Sequence, residues 1–221
     1  FRLGDRDLAT HLKRTCLLKG GFSLSEATCK LCRSLGLKVK LLPMTNDKFE
    51  TKIRIDQGII NFQEYLVKRG AQDEAIDIMF EGSEKAQPAP SVIDSILNAD
   101  TVIVCPSNPI VSIGTILSLK GVRDGLRETR AKVVAISPIV GGAPIKGPAD
   151  KLMRALGLEV SAYSVACLYQ DFLDVFIIDK MDRTEKERIE GLGLHAIVTN
   201  TLMKSLQDKV QLAQTALRSV T

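Results

Sequence analysis

At 221 residues and 45% hydrophobic content, the chain is long enough to bury a substantial core as one domain and too short for a second full one. Its 30 Lys and Arg against 26 Asp and Glu leave a net charge of +4 with both signs interspersed along helices, which excludes a polybasic nucleic-acid binder. No apolar run approaches the length of a membrane span and no signal peptide opens the chain, so the expectation is a cytoplasmic protein whose 5 cysteines are reduced thiols.

In chain order, Arg2-Leu-Gly-Asp-Arg-Asp7 crowds charges around a glycine before Leu8, Leu12 and Cys16 begin a helical stripe. The chain opens at Phe1 inside this polar motif, so an amino-terminal segment is expected to be absent from it. Ser23-Leu-Ser-Glu26 is a capping box, and Leu24, Ala27, Leu31 and Leu35 follow at helical spacing. Leu37, Val39 and Leu41 alternate with Lys38 and Lys40, which predicts a half-exposed strand. Residues 52–56 and 59–62, joined through Gln57-Gly58, predict an antiparallel hairpin. This hairpin begins a small α+β lobe over residues 44–86, with a short helix at 62–69 and a strand at 76–80. Ser91 is placed as the cap of the next helix.

From there strands and helices alternate. Strands are expected at 101–105, 132–137, 174–178 and 195–199, and helices at 122–130, 148–157, 183–190 and from Thr201 onward. The last helix places Leu202, Leu206, Val210, Ala213, Leu217 and Val220 on one side. The fold class is therefore α/β, a doubly wound, mostly parallel, Rossmann-like sheet with the small lobe, all within a single domain over residues 1–221.

Val102 to Cys105 run apolar without alternation, as a central strand does, and stop at Pro106-Ser-Asn-Pro109. Ligands bind at the carboxyl edge of such sheets, which makes Ser107, Asn108 and Pro109 candidates. A second strand end resembles the first. Pro138-Ile-Val-Gly-Gly-Ala-Pro-Ile-Lys-Gly147 offers Gly141 and Gly142 for close backbone approach and Lys146 to neutralise a phosphate, the plain alternative being a connector. Neither loop is a P-loop or a dinucleotide fingerprint, so nicotinamide and ordinary ATP chemistry lose ground. Cys29-x-x-Cys32 lies in a capped helix with no second pair, and Asp171 and Asp174 read as turn or capping residues. Asp5 and Asp7 suit a helix amino terminus, a cation or a hydroxyl equally, and His195 reads as structural.

Several stretches together resemble the 2-phospho-L-lactate transferases that build the deazaflavin coenzyme F-420. They are Arg2 through His11, Phe62-Gln-Glu-Tyr65, Cys105 through Gly114, Ser137 through Gly142, Lys146-Gly-Pro-Ala-Asp150 and Asp171-Phe-Leu-Asp174. The resemblance implies transfer of a phospholactyl-type group, from 2-phospholactate or phosphoenolpyruvate, carried on a guanosine-diphosphate-activated donor. The acceptor would be the ribityl hydroxyl of a deazaflavin precursor, with GMP released, magnesium as cofactor and a homodimer as the assembly.

It also implies that Arg2, Leu3, Asp5, Thr10 and His11 line the deazaflavin pocket and that Asp5 assists deprotonation of the hydroxyl. Ser107, Asn108 and Pro109 would then face the nucleotide, and Gly141, Gly142 and Lys146 the phosphates. No metal ligands are named, because the family's acidic segment precedes the position of Phe1. Asn46 stands where relatives commonly carry a second aspartate, which argues against a metal role for Met44-Thr-Asn-Asp47. The alternatives are a non-catalytic nucleotide- or deazaflavin-binding module and, more weakly, a nicotinamide oxidoreductase.

Overall fold

The computed structural model describes residues 3–220; Phe1, Arg2 and Thr221 lie outside it. Two helices come first, α1 (Asp5–Lys19) and α2 (Leu24–Ser34). The expected capping box forms, Ser23 and Glu26 satisfying each other's backbone N–H at the start of α2. α1 buries none of its side chains and packs chiefly against α2. Neither of the two hydrophobic clusters among the described residues contains a residue from this pair. The strand expected over residues 37–41 does not form. No neighbouring strand offers it a ladder among the described residues, and Leu37, Val39 and Leu41 remain exposed.

An antiparallel sheet follows, with β1 (Glu50–Ile55) between β2 (Gly58–Asn61) and β3 (Asp77–Glu81). A single π-helical turn, Glu64–Lys68, joins β2 to β3 and buries Tyr65, whose hydroxyl donates to the Asp73 carbonyl at 3.2 Å. α3 (Val92–Leu97) comes next, but Ser91 does not cap it. The turn is closed instead by the Val92 N–H on the Ala89 carbonyl, which leaves Ser91 in left-handed backbone at φ 70°.

The main sheet is parallel, in the order β4 (Thr101–Val104), β5 (Lys132–Ile136), β8 (Val175–Asp179), β9 (His195–Thr199). Between these lie a π-helical turn (Pro109–Gly114) running into α4 (Thr115–Leu117), then α5 (Val122–Glu128). A two-residue-limbed hairpin, β6 (Ile139–Val140) and β7 (Ala143–Pro144), precedes α6 (Ala149–Ala155) and α7 (Ala162–Tyr169). A 3-10 turn (Lys180–Glu185) and α8 (Lys186–Glu190) connect β8 to β9, and α9 (Leu206–Arg218) closes the fold. Among the described residues β4 has one neighbour, β5, so it stands at an edge of this sheet, and β5 and β8 are the central pair. The unbroken apolar run of β4 does not distinguish those positions.

Alternate residues of the central strands explain how both faces are covered. Val133, Ala135, Phe176 and Ile178 belong to the large cluster shared with the crossover helices. Val134, Ile136, Val175 and Ile177 meet Leu212 and Ala216 of α9 on the other face. Ile53, Ile55 and Tyr65 join the large cluster too, so the antiparallel sheet is built on the same core as the parallel one.

One helix was not expected, and two helical expectations are corrected. α7 is a buried, nearly all-apolar helix with no polar face for a periodicity to reveal. The segment after β8 begins as a 3-10 turn with a non-helical Asp182 rather than as one helix behind it. The last helix starts at Leu206, after a second capping box between Ser205 and Asp208, and buries Leu212 and Ala216; Leu206 is 77% exposed.

Candidate functional site

A cavity of about 470 Å³ opens at the carboxyl edge of the parallel sheet, and each wall follows from a strand ending. After β4, Pro106 and Pro109 stop the ladder, and Asn108 starts the π-helical turn with its side-chain oxygen accepting from the Ile110 and Val111 N–H groups at 2.9 and 3.1 Å. That bond commits the oxygen inward and leaves the Asn108 amide group as the donor available to the cavity, which Ser107, Val111 and Ser112 also line. After β5, the Ser137 hydroxyl both accepts from the Ile139 N–H and donates to the Ile139 carbonyl, locking the turn into β6. Pro138, Val140, Pro144 and Lys146 line the cavity from this connection. After β9, Thr201, Leu202 and Met203 form a third wall. Phe62, just before the first π-helical turn, and Leu66 within it supply a fourth.

β8 contributes no lining residue. Its end carries two buried carboxylates instead, Asp179 and Asp182, 3% and 4% exposed. Asp179 accepts from the Thr201 N–H at 2.8 Å, the Thr201 hydroxyl at 3.1 Å and the Met181 N–H at 3.0 Å. Burial pushes its carboxyl up, but these hydrogen bonds outweigh that and leave it below the ordinary carboxylate value. Asp182 accepts the Gly141 N–H with both oxygens, at 2.9 and 3.1 Å. Burial pushes it up, only partly offset by the glycine amides.

The sequence-predicted residues therefore divide. Ser107, Asn108 and Lys146 come together around the cavity. Pro109 is buried at the start of its helical turn and is not a lining residue. Gly141 and Gly142 do not line it either, and the phosphate role expected of Gly141 meets a physical obstacle: its N–H is already taken by Asp182. Both glycines have positive φ, 60° and 74°, as the two-residue turn between β6 and β7 requires. Leu3 before α1, Asp5 at its first position and His11 in its second turn lie exposed outside the cavity lining, and the Thr10 hydroxyl donates to the Arg6 carbonyl at 2.8 Å. Arg2 falls outside the described residues. Asp171 and Asp174 lie at the amino-terminal edge of the sheet, where Asp171 pairs with Arg123 and Arg127, and Asp174 holds the Val133 N–H and pairs with Lys132. They are structural, as the sequence indicated.

The residues that the sequence left out of the site were Phe62, Leu66 and the stretch after β9. The Ser205–Asp208 capping box was the signal available for the latter, since it moves the helix start and frees residues 200–204 as a strand-end loop.

The described residues do not fit a protein-held magnesium ion. No group of three or more His, Cys, Asp or Glu among them is placed to hold a metal, and no carboxylate lines the cavity. The loop at Asn46 is occupied structurally: the Asn46 side-chain oxygen accepts from the Ser25 N–H and hydroxyl, and Asp47 accepts from the Gln87 N–H.

Comparison with known proteins agrees with this architecture. The profile of the family described as 2-phospho-L-lactate transferase CofD matches residues 1–214. A 2-phospho-L-lactate transferase of Methanosarcina acetivorans is 44% identical over 214 residues, 97% of this chain and 69% of the relative. A phosphoenolpyruvate transferase of Kitasatospora aureofaciens is 42% identical over 222 residues, 98% of this chain and 69% of the relative. In fold, the chain is similar to a Bacillus halodurans protein of the UPF0052 family, with a TM-score of 0.64 at 14% identity, covering 93% of this chain and 70% of that one.

Proposed function

The chain belongs to the 2-phospho-L-lactate transferase CofD family, and from that premise we propose that it moves a phospholactyl-type group, derived from 2-phospholactate or phosphoenolpyruvate, from a guanosine-diphosphate-activated donor to the ribityl hydroxyl of a deazaflavin precursor. The acceptor oxygen forms a bond to the phosphorus that carries the three-carbon acid, the bond from that phosphorus to the GMP oxygen breaks, and the hydroxyl proton leaves to a base. What supports placing the donor in the cavity is its position at three parallel-strand ends together with Lys146 at its rim.

The reaction asks for alignment and for neutralised charge more than for covalent help. Lys146 makes no ion pair among the described residues, so its ammonium is available to phosphate oxygens. The Asn108 amide and the Ser107 hydroxyl stand as donors beside it. The apolar portions of Phe62, Leu66, Val111 and Leu202 exclude water and offer a surface to a ring. Magnesium would be held through the donor's own phosphate oxygens, since among the described residues no carboxylate lines the cavity. The acceptor side is assigned to Leu3, Asp5, Thr10 and His11, supported by the motif at the start of α1, with Asp5 as the base.

The test is steady-state kinetics on the Lys146→Ala variant. We expect the donor KM to rise about 10- to 100-fold, the equivalent of one charge-assisted hydrogen bond of about 1.5–3 kcal/mol, with acceptor KM unchanged. Absence of GMP and of a phosphodiester product in the wild-type reaction overturns the reading. The absence of any carboxylate from the cavity lining favours a second one, a binding module without turnover. GDP and deazaflavin binding with no product would select it.

A further inference from the structure

Asp179 and Asp182 are not among the residues that line the cavity, yet the sheet order gives them a place in its construction. β8 lies between β5 and β9, and it is the loops after those two neighbours that form two of the walls. From the end of β8 one carboxylate reaches each way: Asp182 to the Gly141 N–H in the β6–β7 turn, Asp179 to the N–H and hydroxyl of Thr201. We propose that Asp179 and Asp182 are positioning residues for the donor, a buried brace that sets the distance between the Lys146 limb and the Thr201–Met203 wall.

Three observations carry the inference. Both side chains are nearly fully buried, so each needs its hydrogen bonds and neither spends them on solvent. Each bond spans a long separation in sequence, 41 residues for Gly141 and 22 for Thr201, so neither is a local turn bond that would form without the fold. Each also ends one short step from a lining residue. Thr201 lines the cavity itself, and Gly141 adjoins Val140, which lines it, and begins the limb that continues through Pro144 and Ile145 to Lys146. Asp179 further holds the Met181 N–H, so the segment carrying Asp182 is itself fixed relative to the strand.

Isosteric substitution separates bracing from bulk. An asparagine at 182 keeps the shape but replaces one accepting oxygen by N–H donors facing the glycine amide, and at 179 it leaves one of two bonding directions unserved. The inference rests on the transferase reading, so the experiment uses two readouts on the intact protein carrying Asp179→Asn or Asp182→Asn. Amide hydrogen exchange at residues 138–147 and 200–204 is measured without substrate, and kinetics and GDP titration are measured with it. We expect faster exchange in these segments and a rise in donor KM and GDP Kd of about 10- to 100-fold, with acceptor KM unchanged.

Asp171→Asn is the control, because it breaks an ion-pair set at the opposite edge of the sheet and lowers the melting temperature without moving donor KM. The brace is overturned if the two asparagine variants leave donor KM and GDP Kd at wild-type values, or if Asp171→Asn shifts them equally. Should an asparagine variant not fold, Asp179→Glu and Asp182→Glu keep the charge on a longer stem, and the same selective shift is expected of them. A wild-type protein that neither binds GDP nor turns over sinks the transferase reading instead, and the brace is then decided by exchange alone.

Discussion

Gly141 shows how a residue type is readable from sequence while its purpose is not. A Gly-Gly pair before a helix is what a phosphate loop looks like, and equally what a tight hairpin turn looks like. The partner that decides between them is an aspartate 41 residues later, which no local pattern connects to it. The position of Lys146 and Asn108 at the cavity was legible because it follows from what ends a strand, a proline-bracketed turn after one and a glycine-proline turn carrying a cation after the next. Tyr169 makes the opposite point. It is 2% exposed, burial raises its hydroxyl's pKa far above the usual value, and that oxygen has no hydrogen-bond partner among the described residues. Removing an unsatisfied buried hydroxyl relieves its desolvation cost, so Tyr169→Phe should be neutral or should stabilise by about 1 kcal/mol. Urea denaturation midpoints would check this, and a loss of 2 kcal/mol or more would reveal a partner.

Among the elements, the four strands of the parallel sheet were the most legible, since apolar runs bounded by turns leave little else for them to be, whereas the alternating run at 37–41 found no partner strand. The final helix was placed but rotated wrongly, for a physical reason. Leu206, Val210 and Leu217 make one apolar row and Leu212 and Ala216 another, so helical spacing alone favours either face. Only the capping box at Ser205 and the neighbouring strands choose. Leu212→Ala should therefore cost about 2–5 kcal/mol, as core truncations do, and Leu206→Ala less than about 0.5 kcal/mol. Thermal denaturation of the two variants checks the pair, and the reverse ranking would turn the helix around. α7 escaped notice because a largely buried helix with so few polar residues loses the polar stripe by which helices are recognised.

Across the whole molecule, α/β class and the edge that carries the cavity follow from alternation of elements, because parallel strands joined by helices all end on one side. The antiparallel sheet was visible as a hairpin, but not that its Ile53 and Ile55 share the main core, since that depends on packing over long separations. The charge distribution also has a direction. Arg123 beside Asp171 holds that carboxyl below its ordinary value, so the pair stabilises the fold above the usual carboxylate range and the contribution is lost as pH falls through the lowered folded-state value. Burial raises Asp182 and Glu185, which gives the opposite sign: their burdens ease as the solution is acidified from the neutral side. Asp171→Asn should therefore flatten the acid limb of a plot of stability against pH, with the difference from wild type vanishing at the lowest pH. Denaturation midpoints taken between neutral and strongly acidic buffers would check it.

The isolation of the first two helices bears on how the two substrates would meet. α1 leans on α2, and α2 is moored through Ser25 to Asn46, away from both hydrophobic clusters. On the proposed assignment the acceptor's platform and the donor's chamber thus stand on separate footings, because the buried Ala27 and Cys32 of α2 belong to neither hydrophobic cluster.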